Sequence, residues 1–266
     1  MAPTLHFLGL DISSYMLFIS IAFLFASYMF RKNLMSMGYG PYAYLPLAII
    51  AYGLGFGGSA LAASLEHATL MEVLSGALFK HGFSVLGGII AATVGFLIYA
   101  RFSKTAPLDL LSAGVAPLFL GYAIGRFACL FSGDGCYGVA SDLPWAMAFP
   151  EGRHPTEIPV HPTPIYESIM ALTIFFFTQH LFKQGQERKQ QLTLVACLFL
   201  GLGIPRFLVE FVRRNELYFG LSQAQWISIA LMIGGLGMLT RLMLKTKSDR
   251  PGASRSTNAS IKARTA

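Results

Sequence analysis

The chain has 266 residues, of which 54% are hydrophobic and only 12% charged, with a mean hydropathy of +0.56. A soluble domain of this length carries about 25% charge, so the composition argues against a water-soluble globule and for an integral membrane protein. The formal charge of +7, from 20 Lys and Arg against 13 Asp and Glu, sits mainly between apolar runs and in the tail, which reads as membrane topology and not as a nucleic-acid surface.

Bilayer spans read as about 20 apolar residues with few charges, and several such runs follow one another. The first covers 12–30 and meets Arg31 and Lys32; the second covers 42–63. A polar stretch with Glu66, His67, Glu72, Lys80 and His81 precedes the third run, 83–100, which is followed by Arg101 and Lys104. The fourth run, 108–129, ends in GRFACLFSGDGCYG, and a loop rich in Gly, Pro and aromatics occupies 132–162. That loop is long for a mere connection, and its SDLPWAMAFP segment can hold a short β-like piece. The fifth run is 164–182, the sixth 192–212 and the seventh 225–244. The pattern predicts an all-α, polytopic helical bundle of about seven membrane helices with an extracytoplasmic loop region. One membrane domain, 1–247, is then followed by a small, polar, basic tail, 248–266, expected to be disordered and cytoplasmic.

Positive charges close the odd-numbered runs: Arg31 and Lys32, Arg101 and Lys104, Lys183 with Arg188 and Lys189, and Arg241 with Lys245 and Lys247. Lys and Arg mark cytoplasmic connections, so the N-terminus is expected outside and the C-terminus inside. The opening MAPTLHFLGLDISS has no basic region and does not read as a cleaved signal peptide. Gly53, Gly57, Gly58, Gly234, Gly235 and Gly237 suit close helix packing, and no internal repeat of the kind transporters carry is present.

Of three cysteines, Cys197 lies within an apolar run and reads as a small hydrophobe. Cys129 and Cys136 stand seven apart, which is no zinc spacing; they read as a disulfide or as two free thiols, and no metal or cofactor is expected.

Charges inside the runs carry the functional signal. An Arg or Glu at bilayer depth costs about 2.5–3.5 kcal/mol on insertion scales. Arg126 nevertheless closes the fourth run, Tyr166 and Glu167 open the fifth, and Arg206 and Glu210 interrupt the sixth at i,i+4 spacing. That spacing allows a plain ion pair on one helix face. Together with Arg126, these residues could instead line a pocket for an anionic lipid headgroup, because guanidinium forks match phosphate. On the expected topology Arg126, Asp134, His161, Glu167, Glu210 and Arg213 all lie toward the outer half.

The order of GRFACLFSGDGCYG, HPTPIYE, PRFLVEFVR and a last helix opening SQAQWIS resembles the bacterial prolipoprotein diacylglyceryl transferases. The resemblance runs from about Tyr15 to Trp226. It implies transfer of diacylglyceryl from phosphatidylglycerol to the lipobox cysteine thiol of a preprolipoprotein signal peptide, in the bacterial cytoplasmic (inner) membrane and among its lipids. Glycerol phosphate would leave. By motif, the resemblance gives Arg126 and Arg206 the phosphate and has Glu210 orient Arg206. Tyr15, Gly87, Gly88, Asp134, His161, Tyr166, Glu167 and Arg213 join the expected substrate site. Asp134 stands where the family usually has a Glu.

The chain departs from the family at several positions. A His usually precedes the Gly-Gly pair of the third helix and is a proposed base for the thiol; here SVLGGI puts Leu86 before Gly87 and Gly88. The usual Asn residues after the signature Arg are Cys129 and Ser132, and the Tyr four before the second Arg is Leu202. A divergent transferase with another acceptor or lipid donor, or a non-catalytic lipid-binding protein on the same scaffold, stays open at this point.

Overall fold

The computed structural model describes residues 4–7, 10–67, 85–103, 105–213, 215 and 217–248. Its helices are α1 (Ser14–Ser36), α2 (Leu45–Ile49), α3 (Gly55–His67), α4 (Val85–Phe102), α5 (Pro107–Ser132), α6 (Thr163–Gln184), α7 (Arg188–Val209) and α8 (Gln223–Ser248). Among the described residues, six helical segments are long and apolar enough to cross a membrane: Ser14–Ser36, Leu45–Ala62, Pro107–Ser132, Thr163–Gln184, Arg188–Val212 and Gln223–Lys245. Helix α4 adds a further apolar helix of 18 residues. The protein is therefore an all-α, multi-pass membrane bundle.

Helix α5 is central and packs against α1, α6 and α7. Its buried face is built largely from small residues, Ala113, Ala116, Ala123 and Ala128, which let neighbouring backbones approach. Leu110 and Phe119 of α5 meet Leu34, Phe182 and Leu194 from the surrounding helices in the main apolar core. Pro107 begins α5 in its first turn, where a missing N–H costs nothing. Gly133 ends it in the left-handed conformation at φ 56°, its N–H donating to Cys129 O at 3.1 Å.

Two polar clusters mark opposite ends of the bundle. At one, Asp109 accepts from the Tyr39 hydroxyl and from Gln191 Nε2, each at 2.6 Å, tying the α1–α2 connection to the starts of α5 and α7. Burial, followed by the hydrogen bond to Asp109, raises the Tyr39 phenol above its ordinary range. At the other end the 132–162 loop joins the start of α6 to the end of α7. Gly138 N donates to His161 O at 2.8 Å and Val139 N to Val212 O at 2.8 Å. A Cβ on Gly138 would lie 2.3 Å from Val212 O, so this crossing admits only glycine. Among the described residues, three two-stranded antiparallel ribbons belong to this same end by their place in the chain: Thr4–Phe7 with Leu10–Ser13, Met147–Phe149 with Thr156–Val160, and Leu217–Tyr218 with Leu221–Ser222.

Two predicted runs differ in detail. Helix α1 continues through Arg31 and Lys32 to Ser36 and does not stop at residue 30. Asn33 explains this, because its buried amide donates to Ala113 O at 2.9 Å and accepts from Gln179 Nε2 at 2.9 Å, which anchors the extra turn. The second run is broken by a π-helical stretch, Ile50–Leu54, between α2 and α3. Gly53 and Gly55 weaken the α preference locally and tolerate the wider turn. An apolar cavity of about 600 Å³ opens between α1, this wide turn, α4 and α5, lined among others by Phe23, Ala51, Phe96 and Gly114.

Candidate functional site

Arg126, Glu167 and Arg206 come from α5, α6 and α7 and converge on one point. Arg126 Nε lies 2.6 Å from Glu167 Oε2, and Arg206 Nη1 lies 3.4 Å from Glu167 Oε1. Arg206 Nη2 pairs with Glu210 Oε2 at 3.0 Å across one helical turn. Glu167 is fully buried, whereas 31% of the Arg206 side chain is exposed. Two arginines and two glutamates leave the cluster electrically balanced. That balance lets the charges persist at bilayer depth, where an unpaired ion is costly.

Each member has further support. Arg126 Nη2 donates to the Tyr122 hydroxyl at 2.7 Å, and its guanidinium carbon lies 4.8 Å from that ring centre, one helical turn below. Glu210 sits where α7 tightens into a 3₁₀ turn, Glu210–Val212. Its Oε1 accepts from Asn215 Nδ2, and from Ser222 Oγ at 2.8 Å. Ser222 opens α8 through a reciprocal cap: its N–H donates to Gln225 Oε1 at 3.0 Å, and Gln225 N–H donates to Ser222 Oγ at 3.2 Å. Arg206 is thus fixed, through Glu210, to the start of the last helix.

A second group lies one turn beyond Arg126. Gly133 and Gly135, both at positive φ, reverse the chain, and the ligating atoms of Cys129, Asp134 and Cys136 all fall within 4.8 Å of one another. Arg126 Nη1 reaches Cys129 Sγ at 3.8 Å, which joins this group to the arginine cluster. The Cys136 N–H donates to Asp134 Oδ1 at 3.1 Å. Both cysteines are free, and hydrogen bonding from Cys129 holds the Cys136 thiol below its ordinary range. Tyr15, near the start of α1, lies within electrostatic reach of Cys129, Asp134, Cys136 and Arg153.

The remaining expected site residues fall elsewhere. His161 Nδ1 and the Tyr166 hydroxyl are 3.2 Å apart, and Trp145 Nε1 donates to that hydroxyl at 2.8 Å, forming a polar chain over the start of α6. Gly87 and Gly88 lie in the crossing of α4 with α3, where a Cβ would stand 2.8 Å from Gly58 O or Gly55 O respectively. Arg213 follows the 3₁₀ turn, its N–H donating to Glu210 O at 3.2 Å, and its side chain makes no ion pair among the described residues.

A sequence model of the family described as prolipoprotein diacylglyceryl transferase matches residues 3–241. The chain belongs to that family. Among similar proteins is the phosphatidylglycerol–prolipoprotein diacylglyceryl transferase of Bordetella avium (strain 197N), 33% identical over 180 residues, covering 65% of this chain and 66% of the relative. The enzyme of the same name from Leptospira interrogans is 36% identical over 204 residues, covering 66% of this chain and 62% of the relative. The chain thus spans just under two thirds of the length of these two relatives. Phosphatidylglycerol–prolipoprotein diacylglyceryl transferase 2 of Clostridium perfringens is 30% identical over 247 residues, 91% of this chain and 95% of the relative.

Within this family member, several contacts were not anticipated from the motifs. Tyr122 stands four residues before Arg126, a spacing that puts both on one helix face, and this was a usable signal. Ser222 and Gln225 form a Ser-x-x-Gln capping pattern, also legible in principle. Trp145, Asn215 and the meeting of Cys129 with Cys136 depend on loop paths that no local pattern encodes.

Proposed function

We propose that this chain moves diacylglyceryl from phosphatidylglycerol to the lipobox cysteine thiol of preprolipoproteins, in the bacterial cytoplasmic membrane. The observation that carries this reading is the convergence of Arg126 and Arg206, from separate helices, on the buried Glu167. The two carboxylates hold the guanidiniums in place while leaving Arg206 partly open to an incoming anion. Arg126 lies six residues inside the end of α5, about 9 Å along the helix, a depth that suits a lipid phosphate. During transfer, negative charge grows on the departing glycerol phosphate, and prepositioned guanidiniums stabilise it without rearranging. Asp134 and Tyr15 lie on the side where the acceptor thiol would approach. In this reading the Trp145–Tyr166–His161 chain at the start of α6, next to Glu167, and Arg213, whose N–H donates to Glu210 O, belong to the substrate's surroundings. Gly87 and Gly88 act by letting α4 lie close to α3. The reaction as read needs no nucleic acid.

The same reading puts the N-terminus outside and the C-terminus in the cytoplasm. Arg31, Lys32, Arg101, Lys183, Arg188, Lys189, Arg241 and Lys245 belong to the Asp109 end of the bundle, and the arginine cluster belongs to the other. The positive-inside rule then directs the site to the outer leaflet. Residues 1–247 form the transferase domain in this reading, with 132–162 as its extracytoplasmic loop and 248–266 as a cytoplasmic tail; within that tail only Ser248 is among the described residues. Reporter fusions at positions 104 and 145 test the topology, and landing on one side overturns it.

The activity is tested with the purified full chain, acyl-labelled phosphatidylglycerol and a lipobox peptide. Thioether formation that disappears in Arg126→Ala is the expected result. Lipid binding without transfer would replace this reading with a non-catalytic one, and transfer to another acceptor with a divergent transferase.

A further inference from the structure

We propose that Cys129, Asp134 and Cys136 form a zinc-class cation site that takes the acceptor thiol as its fourth ligand. The proposal rests on the transferase reading above and supplies what that reading lacks. A cysteine thiol is a poor nucleophile until it is a thiolate, and position 86, where the family resemblance expects a basic His, is Leu86. The apolar side chain of leucine accepts no proton.

The donor set and its geometry both point to such a cation. Two thiol sulfurs and a carboxylate lie within 4.8 Å of one another. Ligands held by a tetrahedral zinc stand about 3.5 Å apart, from bonds of roughly 2.0–2.3 Å. Closing the site therefore needs a movement of about 1 Å or less at each donor. Thiolates select soft or borderline ions, and three protein ligands leave one position open, as in catalytic zinc sites. The three donors come from the last turn of α5 and the reversal after it. That reversal is fixed from outside, because Arg153 N donates to Ser132 O at 3.0 Å and His154 N to Gly133 O at 2.9 Å. Two thiolates and a carboxylate would leave a bound divalent cation with one excess negative charge. Arg126, already paired with Glu167, turns its Nη1 toward that charge, 3.8 Å from Cys129 Sγ.

The chemistry follows from the position. A thiol that coordinates such a cation is deprotonated outright, and its proton passes to water. The sulfur lone pair attacks the glyceryl carbon that carries the phosphate. A carbon–sulfur bond forms, the carbon–oxygen bond to phosphate breaks, and its electron pair leaves on the oxygen of glycerol phosphate. That oxygen departs beside Arg126 and Arg206, while the neutral thioether, a weaker ligand than a thiolate, leaves the cation. No electron is gained or lost by the metal.

The test uses the reduced full chain in detergent under anaerobic conditions, titrated with Co²⁺ alone and then with Zn²⁺. A thiolate-to-cobalt charge-transfer band at one equivalent, abolished by zinc, is the expected result. Cys129→Ser and Cys136→Ser should each lose most of that band, Asp134→Asn should weaken binding at least tenfold, and Cys197→Ser should change nothing. Adding a lipobox peptide should shift the visible cobalt bands, and a peptide with Ser in place of its Cys should not. Absence of the band, its survival in the Cys129→Ser/Cys136→Ser double variant, or a Cys129–Cys136 disulfide in acid-quenched membranes overturns the site. Cobalt bands indifferent to the thiol peptide overturn its role in activation. Cobalt bands that respond to the peptide in a protein giving no transfer support the site and sink the transferase reading alone, so the two failures are separable.

Discussion

Arg126 Nε and Glu167 Oε2 stand 2.6 Å apart between two transmembrane helices, and the same carboxylate reaches Arg206 through its other oxygen. A single buried side chain thus sets the separation of two guanidiniums that the helices alone would leave to vary. Glu167→Gln keeps the volume and removes the charge. We expect kcat for diacylglyceryl transfer to fall by about 10²–10³, the range for loss of an electrostatic stabiliser. The KM for phosphatidylglycerol should change little, because the net positive charge facing the lipid rises. Breaking a buried pair also costs about 3–5 kcal/mol, so the kinetics should be measured where circular dichroism shows the variant folded. A raised KM with unchanged kcat would contradict the bridging role.

The site was partly legible in the sequence and partly not, and the division has a physical basis. Arg126, Arg206 and Glu210 stood out because charge within an apolar run is costly wherever it falls, so composition alone flags it. That Glu167 is shared between both arginines depends on the packing of α5, α6 and α7, which no local spacing encodes. The helices followed from apolar runs, but α1 overran its predicted end because Asn33 finds partners on α5 and α6. Cys129 and Cys136 looked unrelated as a metal pair at seven residues apart. Two residues of positive φ, Gly133 and Gly135, turn that sequence distance into proximity.

Gly138→Ala tests how the outer loop is held. The added Cβ would lie 2.3 Å from Val212 O and 2.9 Å from His161 Cβ. Neither is the free end of a flexible side chain, so the loop must shift away from the end of α7. We expect a loss of about 1–3 kcal/mol, typical of forced overpacking, read as a lower unfolding midpoint in detergent. Protease cleavage within 139–160 should quicken in parallel.

The opposite end of the bundle predicts an alkaline response. Tyr39 donates to Asp109 at 2.6 Å, and its phenol titrates above its ordinary value of about 10. A raised folded-state value means that its stabilisation is complete below about pH 10 and is lost as pH rises through the higher folded value. Above about pH 10 the unfolding midpoint should therefore fall more steeply in the wild type than in Tyr39→Phe. Asp109→Ala should be the more damaging change at neutral pH, by about 1–3 kcal/mol, because it strips the acceptor from both Tyr39 and Gln191.

The apolar cavity of about 600 Å³ between α1, the π-helical turn, α4 and α5 lies within the membrane span, on the same central helix as Arg126. On the proposed reading, a diacyl lipid whose phosphate sits at Arg126 needs an apolar channel for at least one chain, and this cavity is the space we propose for it. Gly114 lines it, and a Cβ there would meet only the Phe30 ring at 3.7 Å, an ordinary contact. Gly114→Leu should consequently fold well, helped by about 1 kcal/mol of helix propensity, while filling part of the space. The KM for long-chain phosphatidylglycerol should rise severalfold with kcat nearly unchanged. A short-chain phosphatidylglycerol should be used as before, since its tails end above the obstruction. Equal impairment with both lipids would mean that the chains lie elsewhere, against the outer faces of the helices.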